Sequence, residues 1–171
     1  MRIKFLITLL FIVNIAFGYN QGDILFQESK SNQSKYIKAA TDSRYTHCGI
    51  IYKKDGKDYV LEASNVVKLT PVQEWINRGV GKHVKVRACP IKDFKINLKK
   101  YIGKSYDTSF SWTDERMYCS ELVYKVYLDN GKRLCDLRKV SEYNIEPYRD
   151  YMKERGILLN EMVVAPSDLI K

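Results

Sequence analysis

Apolar and polar residues alternate in several short segments of the chain, which is the pattern of half-buried β-strands. Residues 45–53 and 58–63 flank the sequence Lys54-Asp55-Gly56-Lys57, and an Asp-Gly pair between two such segments predicts a β-hairpin. Further strands are expected over residues 23–27, 66–69, 83–88 and 157–164. The middle of the chain therefore predicts an antiparallel sheet.

Helical spacing of apolar residues is clearest over residues 119–129, where Asn130-Gly131 ends the pattern. A second helix is expected to run to Arg78, with Thr70 as its N-cap and Pro71 at its first position. Shorter helices are expected over residues 32–40, 94–102 and 146–155. Helices mixed with antiparallel strands predict an α+β fold.

The first 18 residues have the layout of a secretory signal peptide. Arg2 and Lys4 precede an apolar run over residues 5–17, and Ala16 and Gly18 are the small residues expected before a cleavage site. The run is shorter than the ~20 apolar residues of a membrane-spanning helix. We therefore expect a secreted or periplasmic protein whose mature part, residues 19–171, is a single domain without a stable transmembrane anchor.

The net charge of +9 bears on the partners of the chain. The lysines are spread over predicted turns and one helix, and no nucleic-acid-binding motif accompanies them. We therefore expect no nucleic acid partner. Basic charge outside the cytoplasm favours anionic wall polymer or lipid headgroups instead.

Four cysteines are candidates for a nucleophile and are too few for a disulfide scaffold. Cys119 stands where a loop enters the predicted helix, and the free N–H groups at a helix start stabilise a thiolate or an oxyanion. Cys48 and Cys89 lie in apolar, strand-like segments and are expected in the core. If Cys119 stays reduced, at most one disulfide can form among Cys48, Cys89 and Cys135, and Cys48–Cys89 is one option.

A nucleophilic cysteine needs a base, and the sequence contains two histidines. If the hairpin pairs residue 54 with residue 57, the side chains of His47, Gly49 and Glu62 share one face of the sheet. Glu62 then lies diagonal to His47, within reach to orient its imidazole, and Gly49 leaves the space between them open. His83 opens an alternating strand and is expected to be structural.

Four segments, in this order, resemble the YaeF/YiiX (YebB-like) family of circularly permuted, NlpC-type, papain-like cysteine amidases. The segments are Gly22-Asp23-Ile24-Leu25-Phe26, His47-Cys48-Gly49-Ile50, Glu62-Ala63 and Tyr118-Cys119-Ser120-Glu121-Leu122-Val123. The resemblance implies an α+β, permuted papain-like fold with a central antiparallel sheet packed against helices. It also implies Cys119 as nucleophile, His47 as base and Glu62 as orienting partner, with no metal or cofactor required. Because a triad is defined by geometry, the permuted chain order is compatible with function.

Other residues near this pattern have two interpretations. Tyr118 is either a pocket or oxyanion-side residue or a packed aromatic. Residues 103–117 form a loop whose aromatic side chains, at Tyr106, Phe110 and Trp112, either line one wall of the cleft or pack as a cluster. Cys48 stands where the family pattern favours a plain apolar residue, and its side chain is expected to face away from the site.

The resemblance implies a secreted cysteine hydrolase that cleaves an amide bond through a thioester at Cys119. The expected substrate is an amide- or acyl-containing compound, such as cell-wall peptide or another N-acyl compound. Two alternatives stay open: a lipid-directed acyltransferase or thioesterase that uses the same site, and a non-catalytic binding module on the same scaffold.

Overall fold

A five-stranded antiparallel sheet forms the centre of the computed structural model, which describes residues 18–170. The strands of the chain are β1 (Ile24–Gln27), β2 (His47–Lys54), β3 (Lys57–Ala63), β4 (Val67–Pro71), β5 (Lys85–Arg87), β6 (Ser105–Tyr106), β7 (Arg116–Met117), β8 (Arg138–Lys139) and β9 (Met162–Val163). The helices are α1 (Ser34–Thr41), α2 (Val72–Arg78), α3 (Leu98–Tyr101), α4 (Cys119–Asp129) and α5 (Arg149–Glu154). Short 3₁₀ turns span Val80–Lys82, Val140–Glu142, Glu146–Tyr148 and Pro166–Leu169. The predicted α+β class is confirmed.

The sheet has the strand order β4-β3-β2-β1-β5, and the predicted hairpin lies in its middle. Lys54 pairs with Lys57, as the hairpin prediction requires. Asp55 and Gly56 both have positive φ, at 50° and 71°, which is the conformation of a two-residue type I′ turn. This turn fixes which side chains of β2 and β3 share a face.

Both faces of the sheet are buried, because α4 packs on one face and α2 on the other. The face toward α4 holds Ile24, Phe26, Cys48, Ile50 and Leu61, which join the main core. The face toward α2 holds Leu25, Ile51 and Val60, which pack around Trp75. The central strands β1, β2 and β3 therefore alternate between two apolar layers where they are buried, rather than between core and solvent.

Thr70 is not the N-cap of α2, so that prediction is wrong. The strand β4 continues through Pro71, and the helix begins at Val72. The Thr70 side chain is buried and donates its hydroxyl proton to Glu62 Oε1 at 2.6 Å. Its hydroxyl is therefore used inside the fold and not at the helix end.

Three other predicted elements are shorter than expected. The helix expected over residues 94–102 is only α3, because the Asn130 side chain bonds the backbone N–H and C=O of Lys95. The helix over residues 146–155 begins as a 3₁₀ turn before α5. The strand over residues 157–164 is only β9, and the N–H of Val164 bonds the Tyr118 hydroxyl instead of another strand.

The expected signal peptide falls on residues 1–17, which lie outside the described residues, and on Gly18. Within residues 18–170, each helix is too short or too polar to cross a bilayer. All four cysteines are free thiols, so the optional Cys48–Cys89 disulfide is not formed.

Candidate active site

Cys119 is the first residue of α4, which places its thiol at the positive end of the helix dipole. The Glu121 carboxylate accepts the N–H of Tyr118 at 3.3 Å and closes the first turn of the helix. A helix leaves its first N–H groups without intrahelical partners. Those groups could stabilise negative charge on the Cys119 sulfur or on an oxygen bound next to it.

His47 and Glu62 are brought together by the hairpin. His47 Nε2 lies 2.7 Å from Glu62 Oε2. The strands approach closely here, since a Cβ on Gly49 would lie 2.3 Å from Val60 Cγ1 and 2.8 Å from the Leu61 carbonyl oxygen. Glycine is therefore the residue that this close approach requires.

Four donors surround the buried Glu62 carboxylate. Thr70 donates to Oε1 at 2.6 Å, and the Arg78 guanidinium also donates to Oε1. Trp75 Nε1 donates to Oε2 at 3.1 Å, beside the bond from His47. Burial raises the pKa of Glu62, but the bonds from His47 and Thr70 and the charge of Arg78 outweigh it and lower the pKa to about 2. Glu62 is therefore an ionised, acceptor-only partner for His47.

The ionised Glu62 fixes the role of each imidazole nitrogen. Because a carboxylate only accepts hydrogen bonds, His47 Nε2 must carry a proton and donate it to Oε2. Nδ1 is therefore the nitrogen left to interact with the neighbouring Cys119, which raises the pKa of His47. The chain Cys119–His47–Glu62 has the connectivity of nucleophile, base and orienting acid.

The charges of this chain favour an ion pair between sulfur and imidazole. Burial lowers the pKa of His47, but hydrogen bonds to Cys119 and Glu62 raise it to about 9. A hydrogen bond from Cys48 lowers the pKa of Cys119, burial opposes this, and the bond to His47 lowers it further, well below the ordinary value of a thiol. These shifts favour a thiolate and an imidazolium over the neutral pair. Above about pH 9, His47 loses its proton and the ion pair is lost.

Cys48 faces the site, so the prediction that it faces away is wrong. Its side chain points toward α4, on the sheet face opposite to that of His47, and its thiol contacts the Cys119 sulfur. Cys119 lies over the Cys48 face of the sheet. His47 is the first residue of β2, so it lies at the end of the strand and not in the middle of the sheet. Burial and the neighbouring Cys119 raise the pKa of Cys48, which keeps it a neutral donor.

Tyr118 is buried, and its hydroxyl accepts the N–H of Val164 at 3.2 Å. Its ring stands edge-on to Phe110, with the centroids 5.2 Å apart. Phe110 and Tyr118 both line an apolar groove beside Cys119. Two interpretations of Tyr118 were open, a packed aromatic or a pocket residue. Tyr118 is both, since its ring is packed and also forms part of the groove wall.

The aromatic residues of the 103–117 segment separate into three environments. Phe110 lines the apolar groove, where Asp107 holds the loop by accepting the N–H groups of Ser109 and Ser111. Tyr106 lines a polar cleft beside His47. Trp112 packs edge-on against Tyr124 and lines neither space.

Sequence reasoning missed the groups that hold Glu62, namely Thr70, Trp75 and Arg78. Thr70 was detectable, because β4 pairs with β3 and Thr70 lies opposite Val60, on the same face as Glu62. It also missed Gln33 in the polar cleft, whose Oε1 accepts from the Tyr106 hydroxyl at 3.3 Å. Among the described residues, Gln33 Nε2 is a buried donor without a partner.

In this chain the sheet supplies the histidine and the glutamate, and a helix start supplies the thiol. The chain order His, Glu, Cys is that of the class of permuted papain-like enzymes. Residues 18–171 match the family model described as "Permuted papain-like amidase enzyme, YaeF/YiiX, C92 family". The chain belongs to this YaeF/YiiX family, and the resemblance inferred from its motifs is confirmed. Membership supports a cysteine amidase or hydrolase activity.

Two relatives agree with this assignment. The chain is 40% identical over 181 aligned positions to "Uncharacterized protein YiiX" of Escherichia coli strain K12, in a match that covers 97% of this chain and 90% of the relative. The crystal structure of YiiX from Escherichia coli O157:H7 has a TM-score of 0.79 and 38% identity, and it covers 90% of this chain and 92% of that one. The permuted papain-like fold is therefore shared along most of the chain.

The crystal structure of that relative is titled as a metalloprotein. In residues 18–170 of this chain, no group of three or more His, Cys, Asp or Glu is arranged to hold a metal ion. The Glu62 oxygens already accept four hydrogen bonds, one of which occupies His47 Nε2. The residues of this site do not fit a metal ion.

We expect Glu62→Gln to lower the pKa of His47 from about 9 by about one pH unit or more, because the neutral amide removes the charge that stabilises the imidazolium. Histidine ring NMR signals followed through a pH titration measure this directly. A His83→Gln variant assigns the two signals, and Glu74→Gln, at an exposed position on α2, is the matched control. A His47 pKa near the ordinary ~6.5 in the unmodified chain would contradict the ion pair.

Proposed function

We propose that this chain is a secreted cysteine hydrolase that cleaves an amide bond through a thioester at Cys119. The observation that carries the proposal is the hydrogen bond from His47 to the buried Glu62 carboxylate, next to the thiol of Cys119 at the start of α4. A cysteine whose pKa is lowered in this way is a stronger nucleophile toward a carbonyl carbon than an ordinary thiol.

In the first half of the reaction, the Cys119 thiolate attacks the amide carbonyl carbon. The negative charge that moves to the carbonyl oxygen would be stabilised by the N–H groups at the start of α4. His47 donates its Nδ1 proton to the amide nitrogen, the C–N bond breaks, and the amine leaves. Glu62 stays ionised and holds the ring through Nε2.

In the second half, His47 Nδ1 takes a proton from water as the water oxygen attacks the thioester carbon. The C–S bond breaks, the carboxylic acid is released, and the sulfur leaves as a thiolate. The imidazolium and thiolate are thereby restored. Each step uses groups of this chain and water only.

The substrate proposed first is cell-wall peptide or another N-acyl compound, on the basis of the expected compartment and the amidase class of the family. The second candidate is a lipid-directed acyltransferase or thioesterase on the same site. The apolar groove beside Cys119 favours this candidate, because it could hold an acyl chain.

Export is also part of the proposal. Support comes from the N-terminal sequence, in which a charged start and an apolar run end at Ala16-Phe17-Gly18. We expect the protein recovered from the periplasm or medium of a bacterial host to begin at Tyr19, as measured by intact mass and N-terminal sequencing. Recovery of the full chain, starting at Met1, from the cytoplasm would contradict export.

Cys119→Ala should reduce hydrolysis of N-acyl peptides and wall-derived peptides by about 1,000-fold or more, and His47→Gln should do the same. Both variants remove a group that makes or breaks a bond. Release of free amine, followed by mass spectrometry, measures the reaction, and Cys135→Ala, outside the site, is the matched control.

The same assay separates the alternatives. Turnover of acyl-lipids but not of amides, lost in Cys119→Ala, would replace the amidase proposal with the lipid-directed one. If the folded, reduced protein turns over neither class, the chain is a non-catalytic binding module.

A further inference from the structure

Two thiols lie side by side at the site. Cys119 is the first residue of α4, and Cys48 is the second residue of β2, on the sheet face that α4 covers. Their sulfur atoms are in contact. Two cysteines can be bridged only where their side chains point toward each other, which holds for this pair. The proposed hydrolysis forms and breaks bonds at Cys119 only, so the thiol of Cys48 is free for another reaction.

The two thiols differ in access and in charge. Cys119 lines the apolar groove and is 3% exposed, whereas Cys48 has no exposed surface. The hydrogen bond from Cys48 and the charge of His47 favour a thiolate at Cys119, while burial keeps Cys48 a neutral thiol. Because oxidants attack the thiolates that they can reach, a small oxidant in the groove reacts with Cys119 first.

We propose that Cys119 and Cys48 form a reversible disulfide when the protein meets a peroxide, with Cys48 as the resolving thiol, and that this bond switches the site off. The inference rests on the proposed function, since it requires a reactive thiolate at Cys119. The proposed export would place the pair in an oxidising compartment, where disulfides form and persist. A sulfur held in a disulfide is no longer a nucleophile for a carbonyl carbon.

The first step oxidises Cys119. Its thiolate attacks one oxygen of hydrogen peroxide, so that an S–O bond forms and the O–O bond breaks. The leaving hydroxide takes a proton from the imidazolium of His47 and departs as water. The product is a sulfenic acid at Cys119 beside a neutral imidazole.

The second step forms the disulfide. The sulfur of Cys48 attacks the sulfenic sulfur of Cys119, the S–S bond forms and the S–O bond breaks. The hydroxyl group leaves with the thiol proton of Cys48 as a second water. The two thiols have then lost two electrons, which have reduced one peroxide to two waters. Oxidation also removes the negative charge on Cys119 that helps to raise the pKa of Cys48, so Cys48 ionises more readily for this attack.

A resolving thiol protects the nucleophile from permanent damage. Without it, further peroxide oxidises the sulfenic acid to sulfinic and sulfonic acids, which simple thiols do not reduce. The disulfide, in contrast, is reversed by thiol exchange. The pair therefore makes peroxide a reversible inhibitor of this chain.

Peptide mapping of the unmodified protein tests the disulfide without any variant. The reduced protein is treated with hydrogen peroxide, blocked with iodoacetamide and digested with trypsin in the absence of reductant. Cys48 and Cys119 then fall in separate peptides, residues 45–53 and 117–125, each with a single cysteine. We expect these two peptides to be linked, with full loss of labelling at Cys119 and full recovery after dithiothreitol. Cys119 found as sulfinic acid, or linked to a different cysteine, would overturn the inference.

Variants at Cys48 test its role as the resolving thiol. Cys48→Val supplies the apolar residue that the family pattern favours, and Cys48→Ala is a second variant of smaller volume. In both, we expect peroxide to oxidise Cys119 to sulfinic or sulfonic acid, so that dithiothreitol no longer restores its labelling. Cys89→Ala, at the other cysteine expected in the core, is the matched control and should recover fully. Full recovery in either folded Cys48 variant would overturn the inference.

Labelling without peroxide distinguishes this inference from the proposed function. Suppose that iodoacetamide labels reduced Cys119 faster than the other thiols at about pH 6, while peroxide gives no linked peptide. The disulfide inference then fails, and the proposed function is unaffected. If reduced Cys119 reacts with neither iodoacetamide nor peroxide, both fail together.

Discussion

Glu62 carries a negative charge in a fully buried position between the sheet and α2, where an unpaired carboxylate would be strongly unfavourable. Its charge is compatible with the fold only because Thr70, Trp75, Arg78 and His47 all donate to it. These donors come from β4, from α2 and from the start of β2. Removing one partner of such a buried network costs about 3–5 kcal/mol, so the network ties the strands and α2 into one arrangement.

The same carboxylate determines the electrostatics of the site. By fixing the proton on His47 Nε2, it leaves Nδ1 for Cys119 and raises the pKa of the imidazole. The sheet then separates the two partners: His47 belongs to the α2 face, while Cys119 lies over the α4 face beside Cys48. Cys119 and His47 therefore lie between two spaces, since Cys119 lines the apolar groove and His47 lines the polar cleft.

The sequence was sufficient for the features that depend on local pattern. The Asp55-Gly56 turn set the register of the hairpin, and register placed His47 and Glu62 on one face. The features that were wrong or missed depend on tertiary contacts. The burial of Thr70 against Glu62 has no local signature, so the local pattern favours a helix cap there instead. The side of the sheet on which Cys48 meets Cys119 depends on which face α4 covers, and that is a tertiary contact. The groove could not be predicted, because its walls come from distant segments such as α1 and the end of the chain.

The proposed function requires that Cys119 is an ionised, reactive thiol paired with His47. Alkylation of the purified protein by iodoacetamide at about pH 6, mapped by mass spectrometry, tests it directly, since an ordinary thiol with a pKa of ~8.5 is scarcely ionised there. We expect selective labelling of Cys119, at a rate that falls strongly in His47→Ala. Labelling of fully reduced Cys119 no faster than that of Cys135 would contradict the account.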